Sequence, residues 1–205
     1  MSYKIYTIFM VLFLTQAALG KSIDSSNSVD SSEEIKDITP KQSLLIYAVG
    51  NFLKLGQQFA EKAFIISRDL LKDESLMASE KPEILEFKKN ITMFVEKYET
   101  NKETEHVWDL FEIYTNATEH YMELPEEKST PESKFIVELL TKYKCKELET
   151  EFVKAFESLL ENFMKMFEEA KLVMEKPVLD WYKKFVTITD FEEKLIAFGE
   201  FIELV

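Results

Sequence analysis

The chain has few of the residues that cross-link a fold or interrupt its helices. It contains 1 cysteine, 4 glycines and 5 prolines among 205 residues. A single cysteine excludes an intramolecular disulfide, so packing alone must hold the core together. Few glycines and prolines mean few turn signals, and the abundant Glu, Lys, Leu, Phe and Met favour helices while strand signals are scarce. The composition therefore predicts an all-α protein.

Positive charge and long apolar runs are also scarce. The chain has 25 basic and 38 acidic residues, for a formal net charge of -13. This charge argues against a nucleic-acid partner and disfavours an anionic membrane surface, because both repel an acidic protein. No segment after Gly20 is long and charge-free enough to span a bilayer. We expect no transmembrane segment in the mature chain.

The N-terminal 39 residues predict export. Lys4 precedes an apolar run from Ile5 to Leu14, and Ala18 and Gly20 are small residues near a plausible cleavage point. This is the pattern of a secretory signal peptide over residues 1–20, and the run is short of the ~20 residues that a membrane anchor needs. Residues 21–39 are rich in Ser, Asp and Glu, which predicts a disordered leader. Residues 40–205 should form the helical domain of a secreted, extracellular protein.

The stretch from Pro131 to about 175 predicts one long helix that is kinked or broken. Its apolar residues recur at steps of three and four, the spacing of an amphipathic helix. The upstream stripe is Phe135, Ile136, Leu139, Leu140 and Tyr143, and the downstream stripe is Leu148, Phe152, Ala155, Phe156, Leu159, Phe163, Phe167, Ala170, Val173 and Met174. The step from Tyr143 to Leu148 is five, which predicts a break around Lys144 to Glu147. With the remaining periodic segments, the chain predicts a single-domain bundle of about five to seven amphipathic helices.

Capping residues predict where the helices begin. Thr39 and Pro40 suit the N-cap and first position of a helix that continues to about Leu71. Gly50 and Gly56 lie inside it, and each costs up to ~1 kcal/mol relative to Ala unless a neighbour approaches closely or the helix bends. The later helices should be capped by Ser79, Thr104, Thr130 and Thr189.

Two sequons and one cysteine are the candidate modification sites. Asn90 and Asn116 each begin an Asn-x-Thr sequon on the polar side of a helix, so an exported chain could carry oligosaccharide there; unused asparagines are the alternative. The lone thiol, Cys145, lies on the apolar seam between two lysines. It is read first as a small buried hydrophobe, and otherwise as a reactive thiol or the bridge of a disulfide-linked dimer.

Motifs for catalysis and for ion binding are lacking. The sequence has no phosphate-binding glycine loop, no Gly-x-Ser-x-Gly and no His-Glu-x-x-His. Carboxylates line every polar face, so no pair stands out as a general acid and base. We therefore predict no catalytic, cofactor or metal site, and a protein that is not an enzyme.

The apolar inventory leads to two functional hypotheses. The 17 phenylalanines and 8 methionines are numerous for a helical domain. Phe156, Phe163, Met164, Phe167 and Met174 could line an adaptable apolar groove, although core filling explains the same residues. The first hypothesis is a secreted interaction protein that binds another protein through a helical face. The alternative is an extracellular carrier of a fatty acid, a retinoid or another small apolar molecule. A monomer and a dimer are both compatible with the sequence.

Overall fold

The computed structural model describes residues 38–101 and 106–204, apart from the side chains of residues 192, 202 and 203. The predicted signal peptide, the leader up to residue 37 and the predicted cap Thr104 lie outside these ranges. Within them the chain forms eight α-helices and no strand, which confirms the all-α prediction. The helices are α1 Pro40–Leu70, α2 Glu74–Ala78, α3 Pro82–Thr100, α4 Val107–Met122, α5 Pro131–Lys142, α6 Cys145–Ala170, α7 Lys176–Phe185 and α8 Phe191–Leu204.

Two of the predicted helix starts are reciprocal caps. The backbone N–H of Gln42 donates to Thr39 Oγ1 at 3.2 Å, and the backbone N–H of Thr39 donates to Gln42 Oε1 at 2.9 Å. At α5 the Ser133 amide donates to Thr130 Oγ1 at 2.9 Å, and the Thr130 amide donates to Ser133 Oγ at 2.8 Å. Each cap satisfies backbone donors that an uncapped first turn would leave without a partner. α1 and α5 therefore begin where the sequence predicts.

Two other predicted caps are wrong by one or two residues. Ser79 is the C-cap of α2, a helix of 5 residues that the sequence analysis missed. The N-cap of α3 is Lys81, because Pro82 occupies the first turn. At α8 the Glu193 amide donates to Asp190 Oδ1 at 3.1 Å, so Asp190 takes the role predicted for Thr189. Two adjacent residues able to cap a helix cannot be ranked without the path of the backbone.

The predicted break in the long C-terminal stretch is confirmed. α5 ends at Lys142, α6 begins at Cys145, and Lys144 between them has a φ of 63°. This left-handed residue interrupts the α-helix between two apolar stripes that are out of phase by one position. Leu140 before the break and Cys145 after it are consequently both buried, with 1% and 2% of their surface exposed.

The contacts group the described residues into two compact units. Unit 1 is Leu53–Glu157, and unit 2 comprises residues 38–52 and 158–204. In unit 1, α3 packs against α4 and α5, and a core cluster is formed by Leu70, Leu76, Ile84, Phe87, Ile91, Ala117, Tyr121, Ile136, Leu139, Leu140 and Cys145. In unit 2, α7 packs against α8. α1 and α6 contribute residues to both units, so no linker separates them in sequence.

Candidate interaction surface

Most of the side chains predicted for an apolar groove lie in cores. Phe156 of unit 1 and Phe163 and Phe167 of unit 2 have no exposed surface, and Met174 is 7% exposed. Around Phe163 the ring centroids lie 4.9–6.1 Å away, an ordinary range for packed aromatic pairs, and these rings belong to Phe167, Trp181, Phe185, Phe198 and Phe201. Phe167 also stacks on Tyr182 at 3.8 Å. The aromatic residues of α6 to α8 thus fill the interior of unit 2 with one another.

Two of the surface concavities formed by described residues bear on the carrier hypothesis. The first is a cleft of about 50 Å³ in unit 1, bordered by Phe59 and Phe152 and by the Lys62–Glu151 ion pair at 2.6 Å. The second is a depression of about 490 Å³ in unit 2, where the half-buried Met164 lies beside Tyr182 and four charged residues of α6. The cleft is far below the ~300 Å³ of a ligand pocket, and the depression is open and charged. Neither concavity has the chemistry of an enclosed apolar carrier site.

The most exposed apolar side chains of unit 2 lie on the turn that joins α6 to α7. α6 ends at Ala170, and residues Lys171–Val173 form a single 3-10 turn. Leu172 is 99% exposed and Val173 is 64% exposed, whereas Met174 directly after them is 7% exposed. The Met174 amide closes the turn by donating to the Lys171 carbonyl at 3.3 Å. We call Leu172 and Val173 the apolar turn.

The start of α1 lies close to this turn. Lys41 Nζ is 3.7 Å from Glu175 Oε1, and Lys171 Nζ is 3.1 Å from Glu168 Oε2. Ile38, just before α1, is 61% exposed. Two ion pairs, Lys41 with Glu175 and Lys171 with Glu168, therefore lie beside the apolar turn.

The prediction that Val173 lies inward on the apolar stripe is wrong, and the missed feature is the end of α6. The stripe pattern extends through Val173 and Met174, but the α-helix stops at Ala170 and only Met174 is buried. No glycine marks this helix end, which removes the usual sequence signal for a C-terminus. The one available signal is Pro177, which shows that a new helix must begin nearby.

Both predicted glycosylation sites lie in unit 1. Asn90 on α3 is half-buried, and Asn116 on α4 is exposed. Thr118 of the second sequon is 2% exposed, and its hydroxyl donates to the Tyr114 carbonyl at 3.0 Å. An oligosaccharide on Asn116 would extend into solvent without disturbing that inward threonine.

The lone thiol lies in the core of unit 1. Cys145 is 2% exposed, and burial raises the pKa of its thiol to about 11. Burial also raises the pKa of the neighbouring Tyr114 hydroxyl well above its usual value. A thiol of this pKa is protonated at neutral pH, and only the thiolate is a strong nucleophile. Of the three interpretations offered by the sequence, this environment favours the small buried hydrophobe.

The part of the chain that the structure describes shows no group of three or more His, Cys, Asp or Glu side chains arranged to hold a metal ion. Among the same residues, none of the helices combines the length and the apolar character needed to cross a membrane. Comparisons with protein-family models, with curated proteins and with solved structures found no match to this chain.

Proposed function

We propose that this chain is a secreted, non-enzymatic protein that acts by binding another extracellular protein, and that the apolar turn of unit 2 is the point of contact. The observation that carries the proposal is Leu172, an apolar side chain with 99% of its surface exposed. Covering a Leu or Val side chain is worth roughly 1.5–3 kcal/mol each. A partner with a complementary apolar pocket would gain this free energy by covering Leu172 and Val173.

The charges around the turn suit a protein partner. Ion pairs of Lys41 with Glu175 and of Lys171 with Glu168 lie beside the apolar turn. Charges that are already paired cost less to cover in an interface than unpaired charges do. Both sequons belong to unit 1, so oligosaccharides would be attached to the unit that lacks the apolar turn.

The proposal is tested by saturable binding of the labelled mature protein to cells of the source organism. Replacing Leu172 and Val173 together by Ser should weaken the apparent affinity at least about tenfold, because the partner loses its apolar contact. The matched control is Leu85→Ser, which changes a 46% exposed leucine on α3. This control should bind as the wild type does.

Two results would contradict the proposal. Binding that does not saturate argues against an interaction protein, and saturable binding with equal affinity in all three proteins argues against the apolar turn. The carrier hypothesis has a separate readout. An apolar molecule that co-purifies with the secreted protein in native mass spectrometry would favour it instead.

A further inference from the structure

The first part of α1 carries an uncharged outer face in addition to the apolar face that it buries. Leu44, Ala48 and Phe52 are 1%, 0% and 3% exposed and form the inner face. Successive residues of a helix are rotated by about 100°, so Gln42, Ile46, Val49 and Gly50 share the opposite side. We call these four residues the outer seam, and all of them belong to unit 2. Ile46 is 61% exposed, Gln42 and Gly50 are exposed, and Val49 is half-buried.

The outer seam lies in a part of the chain without negative charge. Between Ile38 and Ala60 there is no Asp or Glu, although the chain has 38 acidic residues among 205. The only charged residues in this range are Lys41, which pairs with Glu175, and Lys54. Two copies of a protein with a net charge of -13 repel one another over most of their surface. The outer seam is a face at which they can meet without opposing carboxylates.

The seam is also complementary to itself. A Cβ added at Gly50 would have no other atom of the described residues within 4 Å, so among those residues the backbone there is open to close approach. Ile46 protrudes one helical turn earlier. In an antiparallel pair of α1 helices related by a two-fold axis, Ile46 of each copy would pack on Gly50 of the other, because a two-fold interface repeats each contact reciprocally. We propose that the outer seam is a homodimer interface and that its occupant is a second copy of this chain.

The direct test is sedimentation equilibrium of the mature protein over a wide concentration series, with reducing agent present. The wild type should reach the mass of a dimer, and Ile46→Glu should raise the dissociation constant at least about tenfold, because it places a carboxylate in the contact. Ile65→Glu is the matched control, since Ile65 is 53% exposed on the same helix but belongs to unit 1. It should leave the dissociation constant within about twofold of the wild-type value.

A cross-linking experiment checks the geometry. Cys145 is the one native cysteine of the described residues, and it is buried. A cysteine introduced by Val49→Cys is therefore the thiol that an oxidant can reach. Mild oxidation should link two copies through position 49, which lies near the proposed two-fold axis, and Ile65→Cys should stay monomeric in denaturing electrophoresis. Far-ultraviolet circular dichroism of each variant confirms that its helices are intact.

Four outcomes would overturn the proposal. Three of them are a wild-type chain that stays monomeric over the whole series, equal effects of Ile46→Glu and Ile65→Glu, and equal cross-linking at positions 49 and 65. A monomer whose outer seam binds lipid vesicles would also overturn it. None of these measurements involves the proposed extracellular partner, so failure here is distinct from failure of the proposed function.

Discussion

Gly50 and Gly56 show how much the surroundings of a residue decide its role. Both lie inside α1, and the sequence suggested for both either a close neighbour or a bend. A Cβ on Gly56 would come within 3.0 Å of Trp108 Cη2 and Val107 Cγ1 at the start of α4. A Cβ on Gly50 would meet nothing within 4 Å in the part of the chain that the structure describes. Only Gly56 is needed for packing within its own unit.

We therefore expect the same substitution to have opposite effects at the two positions. Gly56→Ala should lower the free energy of unfolding by roughly 1–2 kcal/mol, because the overpacking against Trp108 exceeds the gain in helix propensity. Gly50→Ala should raise it by roughly 0.5–1 kcal/mol, because only that gain remains. Urea titration measures both, at dilutions where the midpoint does not depend on protein concentration. A stabilised Gly56→Ala protein would show that Trp108 can move aside.

Single residues were predicted well where a local pattern determines their environment. The buried positions of Phe163, Phe167 and Cys145 follow from helical spacing, and the structure places all three in cores. Leu172 and Val173 could not be identified as an exposed turn, because the apolar spacing continues past the end of α6. Gly56 contacts α4 through Trp108, which lies about 50 residues further along the sequence. Spacing within α1 therefore cannot show which of the two glycines is packed.

At the scale of the element, one carboxylate connects α2 to the end of α5. Asp73 caps α2 through its Oδ1, which accepts from the amides of Ser75 at 3.0 Å and Leu76 at 3.2 Å and from the Ser75 hydroxyl. Its Oδ2 accepts from Lys142 Nζ at 2.6 Å and from the Tyr143 hydroxyl at 3.0 Å. The ammonium of Lys142, followed by the Ser75 hydroxyl, holds the pKa of Asp73 well below its usual range.

This depressed pKa predicts how stability depends on pH. Because Asp73 binds its proton more weakly in the folded than in the unfolded chain, its contribution is fully present above the unfolded pKa of about 4. The contribution is lost as the pH falls through that value towards the lower folded pKa. Asp73→Asn should lower the free energy of unfolding by roughly 1–2 kcal/mol at pH 7, since the Lys142 partner is itself largely exposed.

The difference in the free energy of unfolding between the wild type and Asp73→Asn should shrink as the pH is lowered from about 5 to about 2. Urea titrations at several pH values measure it. Asp69→Asn is the matched control, because Asp69 is half-exposed and pairs with Lys72 at 2.7 Å. That substitution should change stability by less than about 1 kcal/mol at pH 7. A difference between wild type and Asp73→Asn that stays constant with pH would contradict the assigned role of the carboxylate charge.

Elements were predictable to the extent that their signals are local. The five-residue step from Tyr143 to Leu148 predicted the break that Lys144 makes with its φ of 63°. The start of α1 followed from Thr39 and Pro40. α2 was missed because 5 residues are too few to show helical periodicity. Its cap, Asp73, depends on Lys142 and Tyr143, which lie about 70 positions further along the chain.

At the scale of the whole molecule, composition predicted the all-α fold class, whereas the contacts that define the two compact units cannot be read from composition. Few glycines and prolines and frequent apolar steps of three and four are enough to indicate an all-α chain. The two units are defined by long-range contacts, and α1 and α6 pass through both without a linker. A linker is the signal by which sequence analysis separates domains, and because the sequence has none it predicts a single domain.

Secretion is the prediction on which the proposed function depends most. Expressed in eukaryotic cells, the chain should appear in the medium with Lys21 as its first residue, because the apolar run ends before the small residues Ala18 and Gly20. Intact mass spectrometry before and after peptide N-glycosidase treatment should show a loss of sugar mass. Asn116→Gln should remove more of that mass than Asn90→Gln, because Asn116 is exposed and Asn90 is half-buried. A chain retained in the cell with residues 1–20 attached would contradict both the signal peptide and the proposed extracellular partner. A secreted chain without sugar would contradict only the use of the sequons.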